Sequence, residues 1–167
     1  MSDPNDTFSG TRPVSEAHAF EIRPLQEWME RHVPDFAGPM AVEMFKGGQS
    51  NPTYKINTPQ RSYVMRAKPG PAAMLLPSAH AIEREFRVMS ALAQTDVPVA
   101  RMLALCEDES VIGRAFYIME FVQGRVLWDQ SLPGISPSER RAHYIELNRV
   151  MSCPHKAPYA QIGLQDY

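Results

Sequence analysis

The sequence predicts an α+β domain in which a five-stranded antiparallel sheet carries a helix packed on it. Residues 40–67 hold three short β-prone segments joined by tight polar connections, residues 82–93 carry the clearest helical periodicity, and two more β-prone segments follow between 99 and 122.

Residues 1–14 are rich in Ser, Asp, Asn, Pro and Thr without apolar periodicity, and the expectation is a disordered tail. A short amphipathic helix follows. Leu25, Trp28, Met29, His32 and Val33 recur at helical spacing, with Pro24 suited to a first helical position and Pro34 ending the run. Segments 40–46, 53–57 and 61–67 then read as strands of a meander, with Thr58, Pro59 and Gln60 turning the chain between the last two.

The three prolines in residues 69–79 fit neither periodicity, so this stretch reads as a loop before a helix beginning near His80. On that helix Ile82, Phe86, Met89 and Ala93 form the apolar stripe, with Leu92 at its edge, while Glu83, Arg84 and Arg87 face away. Glu85 breaks the pattern. It lies three residues after Ile82 and four before Met89, beside the buried face, where a carboxylate requires a cationic partner.

Segments 99–106 and 115–122 complete the sheet across an acidic turn of Glu107, Asp108, Glu109 and Ser110. A short helix is expected over 126–131. A longer one begins at Ser136, with Ser as N-cap, Pro137 at the first helical position and Glu139 closing a capping box, and is expected to stop near Met151 because of Pro154.

Composition narrows the function classes. The 167 residues suffice for one domain with a real core, and 44 % apolar with 22 % charged residues is ordinary for a globular protein. A net charge of −2 gives no basic face for nucleic acid or anionic membrane, and no apolar run is long enough to cross a bilayer, so neither partner is expected and the location is read as cytoplasmic. Cys106 and Cys153 lack metal-site spacing and read as free thiols.

The most informative stretch is 45–56, FKGGQSNPTYKI. Two glycines and small polar residues between strands let backbone N–H groups converge on an anion such as phosphate, although a Gly-Gly pair between strands also makes an ordinary hairpin turn. Taken with YVMRAKPG (63–70), SAHAIEREFRVMSAL (78–92), VPVARMLALCED (97–108) and FYIMEFVQGRVL (116–127), GGQSNPTY (47–54) resembles the ATP-binding lobe of the aminoglycoside phosphotransferase and choline-kinase-like group, which shares the protein-kinase fold. The likeness is nearest to the branch also found fused to acyl-CoA dehydrogenases in eukaryotes, and covers roughly residues 20–150.

The resemblance implies a site. Gly47, Gly48, Gln49, Ser50 and Asn51 would form the flap over the nucleotide phosphates. Val64 and Arg66, two apart on a strand and so on one face, would lie over the adenine and hold a phosphate. Most kinases place Lys there. Arg66 is favoured over Lys68 for the role, and Glu85 matches the helix acid that orients this cation, the alternative for Glu85 being a purely structural ion pair. Met119, Glu120 and Val122 match the hinge, where the Glu120 carbonyl and the Val122 N–H would meet the adenine edge; apart from the resemblance, FYIMEFV is only a buried strand. Tyr117 and Trp128 read as packing residues.

The resemblance also fails in part. Phosphoryl transfer in this group uses a His-x-Asp-x-x-x-x-Asn loop and a later Asp for Mg²⁺. None of Asp3, Asp6, Asp35, Asp96, Asp108, Asp129 and Asp166 has His two residues before it or Asn five after it, so no catalytic or metal-binding residue is assigned. The expected organisation is a tail (1–14), an ATP-binding lobe (15–122), and a hinge with the first helices of an incomplete second lobe (123–167). The expected function is that of a small-molecule kinase acting on a hydroxyl, present as a nucleotide-binding lobe. ATP is its cofactor, and Mg²⁺ is expected only with a complete second lobe. One alternative is a non-catalytic nucleotide-binding or regulatory interaction module, and another is a small sensory domain in which Gly-Gly is only a turn. The exposed apolar face expected on the helix at 136–151 would favour self-association.

Overall fold

The computed structural model describes residues 9–47, 51–70 and 81–166. Its centre is one antiparallel sheet of six strands, β1 (Thr11–Arg12), β2 (Ala41–Phe45), β3 (Thr53–Asn57), β4 (Ser62–Ala67), β5 (Met102–Cys106) and β6 (Phe116–Glu120), in the order β1-β2-β3-β4-β6-β5. The five expected strands all form. The sixth, β1, lies in the segment read as a disordered tail, where Thr11 pairs with Phe45 and Arg12 with Met44. Its stabilisation is backbone pairing on an open sheet edge, which needs no apolar alternation and so leaves no sequence pattern. The rest of the expected tail, residues 1–8, lies outside the described residues.

Helix α1 (Ile22–His32) covers one face of the sheet. Its Leu25, Trp28 and Met29 pack with Val33 against Tyr54, Ile56, Tyr63, Met65, Phe116 and Ile118, a continuous buried core. Pro24 sits at its third position rather than its first, where the missing N–H is still one the helix could not use internally. The Trp28 and Phe116 rings meet edge to face at 4.9 Å between centroids.

Helix α2 (Ile82–Leu92) lies on the other face. Ile82 is fully buried with Ala115 and Tyr117, and Phe86, Met102, Leu105 and Met119 pack around them. The stripe is thus shifted from the sequence reading: Ala91 is buried and Ala93 exposed, because Ala93 is already the C-cap. Residues 93–101 then connect the helix to β5.

Beyond β6 the expectations hold less well. Residues 126–131 form no helix; six residues are too few to nucleate one, and Asp129 instead accepts hydrogen bonds from the Ser131 N–H and hydroxyl. Helix α3 (Pro137–Lys156) begins with the expected capping box between Ser136 and Glu139 but continues through Pro154. A proline in the last turn removes only one internal bond, and the Ala157 N–H closes the end on the Pro154 carbonyl. The chain then returns to α2, where Arg87 grips Asp166 at 2.6 and 2.9 Å and the Gly163 carbonyl at 2.6 Å. No residue of α3 is buried.

Candidate functional site

Strand register builds the site on the α2 face. Lys55 of β3 pairs with Val64 of β4, which pairs with Met119 of β6; two residues along the strands, Thr53 pairs with Arg66, which pairs with Tyr117. Because side chains alternate between faces, these two rows share one surface, separated by about 7 Å. The first row is apolar at Val64 and Met119 and lies beside the hinge; the second is polar.

Glu85 reaches the second row from α2. Its carboxylate accepts from Arg66 Nε at 2.8 Å and Nη2 at 3.4 Å, from Asn51 Nδ2 at 3.1 Å and from the Tyr117 hydroxyl at 3.0 Å. This is the cationic partner that its position on the helix requires, and the pair is about one-third exposed on each side. Burial first, then the Glu85 charge, push the Tyr117 hydroxyl well above the ordinary tyrosine value, so it remains a donor. Lys68 is engaged elsewhere, in an ion pair with Glu83. Arg66 is therefore the cation joined to Glu85.

A cleft of about 980 Å³ opens beside this cluster. Of the residues singled out in the sequence, Gly47, Val64, Arg66, Met119, Glu120 and Val122 line it. Asn51 is buried and, like Glu85, stands behind Arg66 rather than on the cleft wall. Gly48, Gln49 and Ser50 lie outside the described residues. The hinge is anchored by two bonds, from the Glu120 N–H to the Arg101 carbonyl and from the Arg101 N–H to Glu120 Oε1, each 2.9 Å.

Several cleft residues escaped the sequence reading. Phe121 stacks on Phe45 with centroids 6.5 Å apart, and Lys55 Nζ lies 4.5 Å from the Phe121 ring centre. Trp128 is a cleft residue rather than a packing one, and its indole N–H donates to Ser9 Oγ at 2.8 Å, drawing the N-terminal edge to the segment after the hinge. Tyr117 packs but also donates to Glu85. Its spacing of two from Met119 on one strand was the available signal, since it places both on one face.

Among the described residues no cluster of three His, Cys, Asp or Glu side chains could hold a metal ion, and no helix is long and apolar enough to cross a membrane.

The chain is 39 % identical over 166 residues to acyl-CoA dehydrogenase family member 11 of Rattus norvegicus, covering 97 % of this chain and 21 % of that protein. It is 44 % identical over 158 residues to family member 10 of Mus musculus, covering 94 % of this chain and 15 % of the relative. A crystal structure assigned to the aminoglycoside phosphotransferases, from Ralstonia eutropha, superposes with a TM-score of 0.78 at 64 % identity, covering 89 % of this chain and 42 % of that one. The chain thus spans about a fifth or less of these two relatives and under half of the solved structure. Residues 41–167 match the model of the phosphotransferase enzyme family, APH, and the chain belongs to that family, with the fold of a kinase-like N-terminal lobe.

Proposed function

We propose that these residues form the ATP-binding lobe of a small-molecule kinase that phosphorylates a hydroxyl. The observation carrying this reading is the Arg66–Glu85 pair at 2.8 Å, whose arginine lines a cleft that also holds an apolar strip running into a backbone hinge. A base would lie against Val64, Ala100 and Met119, with its edge toward residues 120–122. About 7 Å away along the strands, Arg66 would hold phosphate oxygens through charge-assisted bonds. The cleft volume lies within the range of nucleotide-sized ligand sites. Bound ATP would supply the transferable phosphoryl group. What this chain contributes is binding and orientation, since none of its 167 residues matches the family's catalytic loop.

Calorimetric titration tests the reading. The expected result is saturable binding of ATP, tighter than that of adenosine, because only ATP engages Arg66. No saturable heat at millimolar ATP would refute it. Incubated with ATP, Mg²⁺ and a panel of aminoglycoside, choline and hydroxy-acyl acceptors, the 167-residue chain is expected to show no transfer above a protein-free control. Turnover would show that residues outside the known catalytic pattern perform the chemistry.

A further inference from the structure

The hydrogen bonds around Glu85 close into a ring. Asn51 Nδ2 donates to Glu85 Oε1 at 3.1 Å, and Arg66 holds the same carboxylate through Nε and Nη2. Arg66 Nη1 donates to Thr53 Oγ1 at 3.3 Å, and that hydroxyl donates to the Asn51 carbonyl at 3.2 Å, which completes the circuit. Tyr117, 1 % exposed, supports it from behind with its bond to Glu85 Oε2 at 3.0 Å. Strands β4 and β6, helix α2 and Asn51 are thereby joined through one carboxylate, and β3 joins them through Thr53.

We propose that Asn51 and Tyr117 are positioning residues for phosphate binding: they fix the Glu85 carboxylate so that it presents Arg66 to the cleft, and Asn51 ties the segment leading into β3 to the same unit. This rests on the nucleotide reading above. A lone Arg–Glu pair about one-third exposed would be screened and rotationally loose. Two further donors, one buried at 2 % and one at 1 % exposure, remove that freedom. The ring uses three of the five guanidinium N–H groups and leaves two for a ligand in the cleft that Arg66 lines. Displacing α2 would break the Glu85 bonds to Asn51 and to the arginine together, so Asn51 position and Arg66 orientation change as one.

The test is a mutant cycle on the full 167-residue chain, with Asn51→Ala and Tyr117→Phe each made alone and in a Glu85→Ala background. Each single change is expected to weaken ATP binding by about tenfold or less while adenosine binding is unchanged, and to have no further effect once Glu85 is gone. Equal losses for ATP and adenosine, no loss, or additive losses in the Glu85→Ala background would overturn the proposal. Amide hydrogen exchange in the nucleotide-free chain supplies an independent measurement. Both single changes are expected to raise exchange in residues 82–86, and Asn51→Ala in 51–54 as well, again without addition to Glu85→Ala; unchanged protection overturns the coupling. A wild-type chain that binds neither ATP nor adenosine refutes the nucleotide reading, and the exchange data still decide whether Asn51 and Tyr117 act through Glu85.

Discussion

Replacing Arg66 with alanine is expected to weaken ATP binding by about 2–3 kcal/mol, on the order of 30- to 150-fold in Kd, with adenosine binding little changed. The effect has two sources acting in one direction. The guanidinium is the cation on the cleft wall in the polar row, and its removal leaves Glu85 as an uncompensated negative charge beside the expected phosphate path. Arg66→Lys separates them. Lysine keeps the charge but cannot reproduce the fork that places Nε and Nη2 on the two Glu85 oxygens, so an intermediate loss is expected. Calorimetry with ATP and adenosine on the three proteins checks the order. An Arg66→Ala chain that binds ATP as tightly as the wild type would mean that the phosphates lie elsewhere.

The second large effect concerns helix α3. Tyr144, Leu147 and Met151 are three and then four residues apart and share one helical face, with exposures of 44, 51 and 60 %. Ile145 stands beside them at 53 %, and Val122, Val126 and Leu127 are also more than half exposed. An apolar surface of this kind is uncommon on a stable monomer. The 167-residue chain is expected to self-associate in solution at micromolar concentration, as measured by light scattering coupled to size exclusion. Leu147→Glu with Met151→Glu is expected to weaken that association by roughly 3 kcal/mol or more, on the order of 100-fold, since each side chain would otherwise leave water. A strictly monomeric wild-type chain with slow amide exchange throughout α3 would contradict this.

The fold was most legible where side chains carry a period. The strands at 53–57 and 62–67 stand where alternation and the Thr58 turn place them, and Glu85 betrayed its partner by lying beside the buried stripe of its helix. That Val64 and Arg66 share one face followed from their spacing, while the role given to Arg66 came from the resemblance. Less legible were features held by backbone or by long-range register. Strand β1 is two residues long and makes its pairing through main-chain groups alone. The Asn51–Glu85 bond joins residues 34 apart, and no local pattern marks it. Tyr117 carried the alternation signal but looked like core, and it is both, a buried ring with a hydroxyl on the carboxylate. Pro154 misled because its cost falls in a last turn that loses one bond rather than in a helix interior.

Amide shift mapping by NMR during titration with ATP decides most directly whether the cleft above Arg66 is a nucleotide site. Shifts are expected to concentrate at Gly47, Asn51, Val64, Arg66 and residues 120–122, with adenosine reproducing only those at Val64 and the hinge. Shifts absent at saturating ATP, or gathered on the opposite face around α1 and residues 108–111, would contradict the assignment.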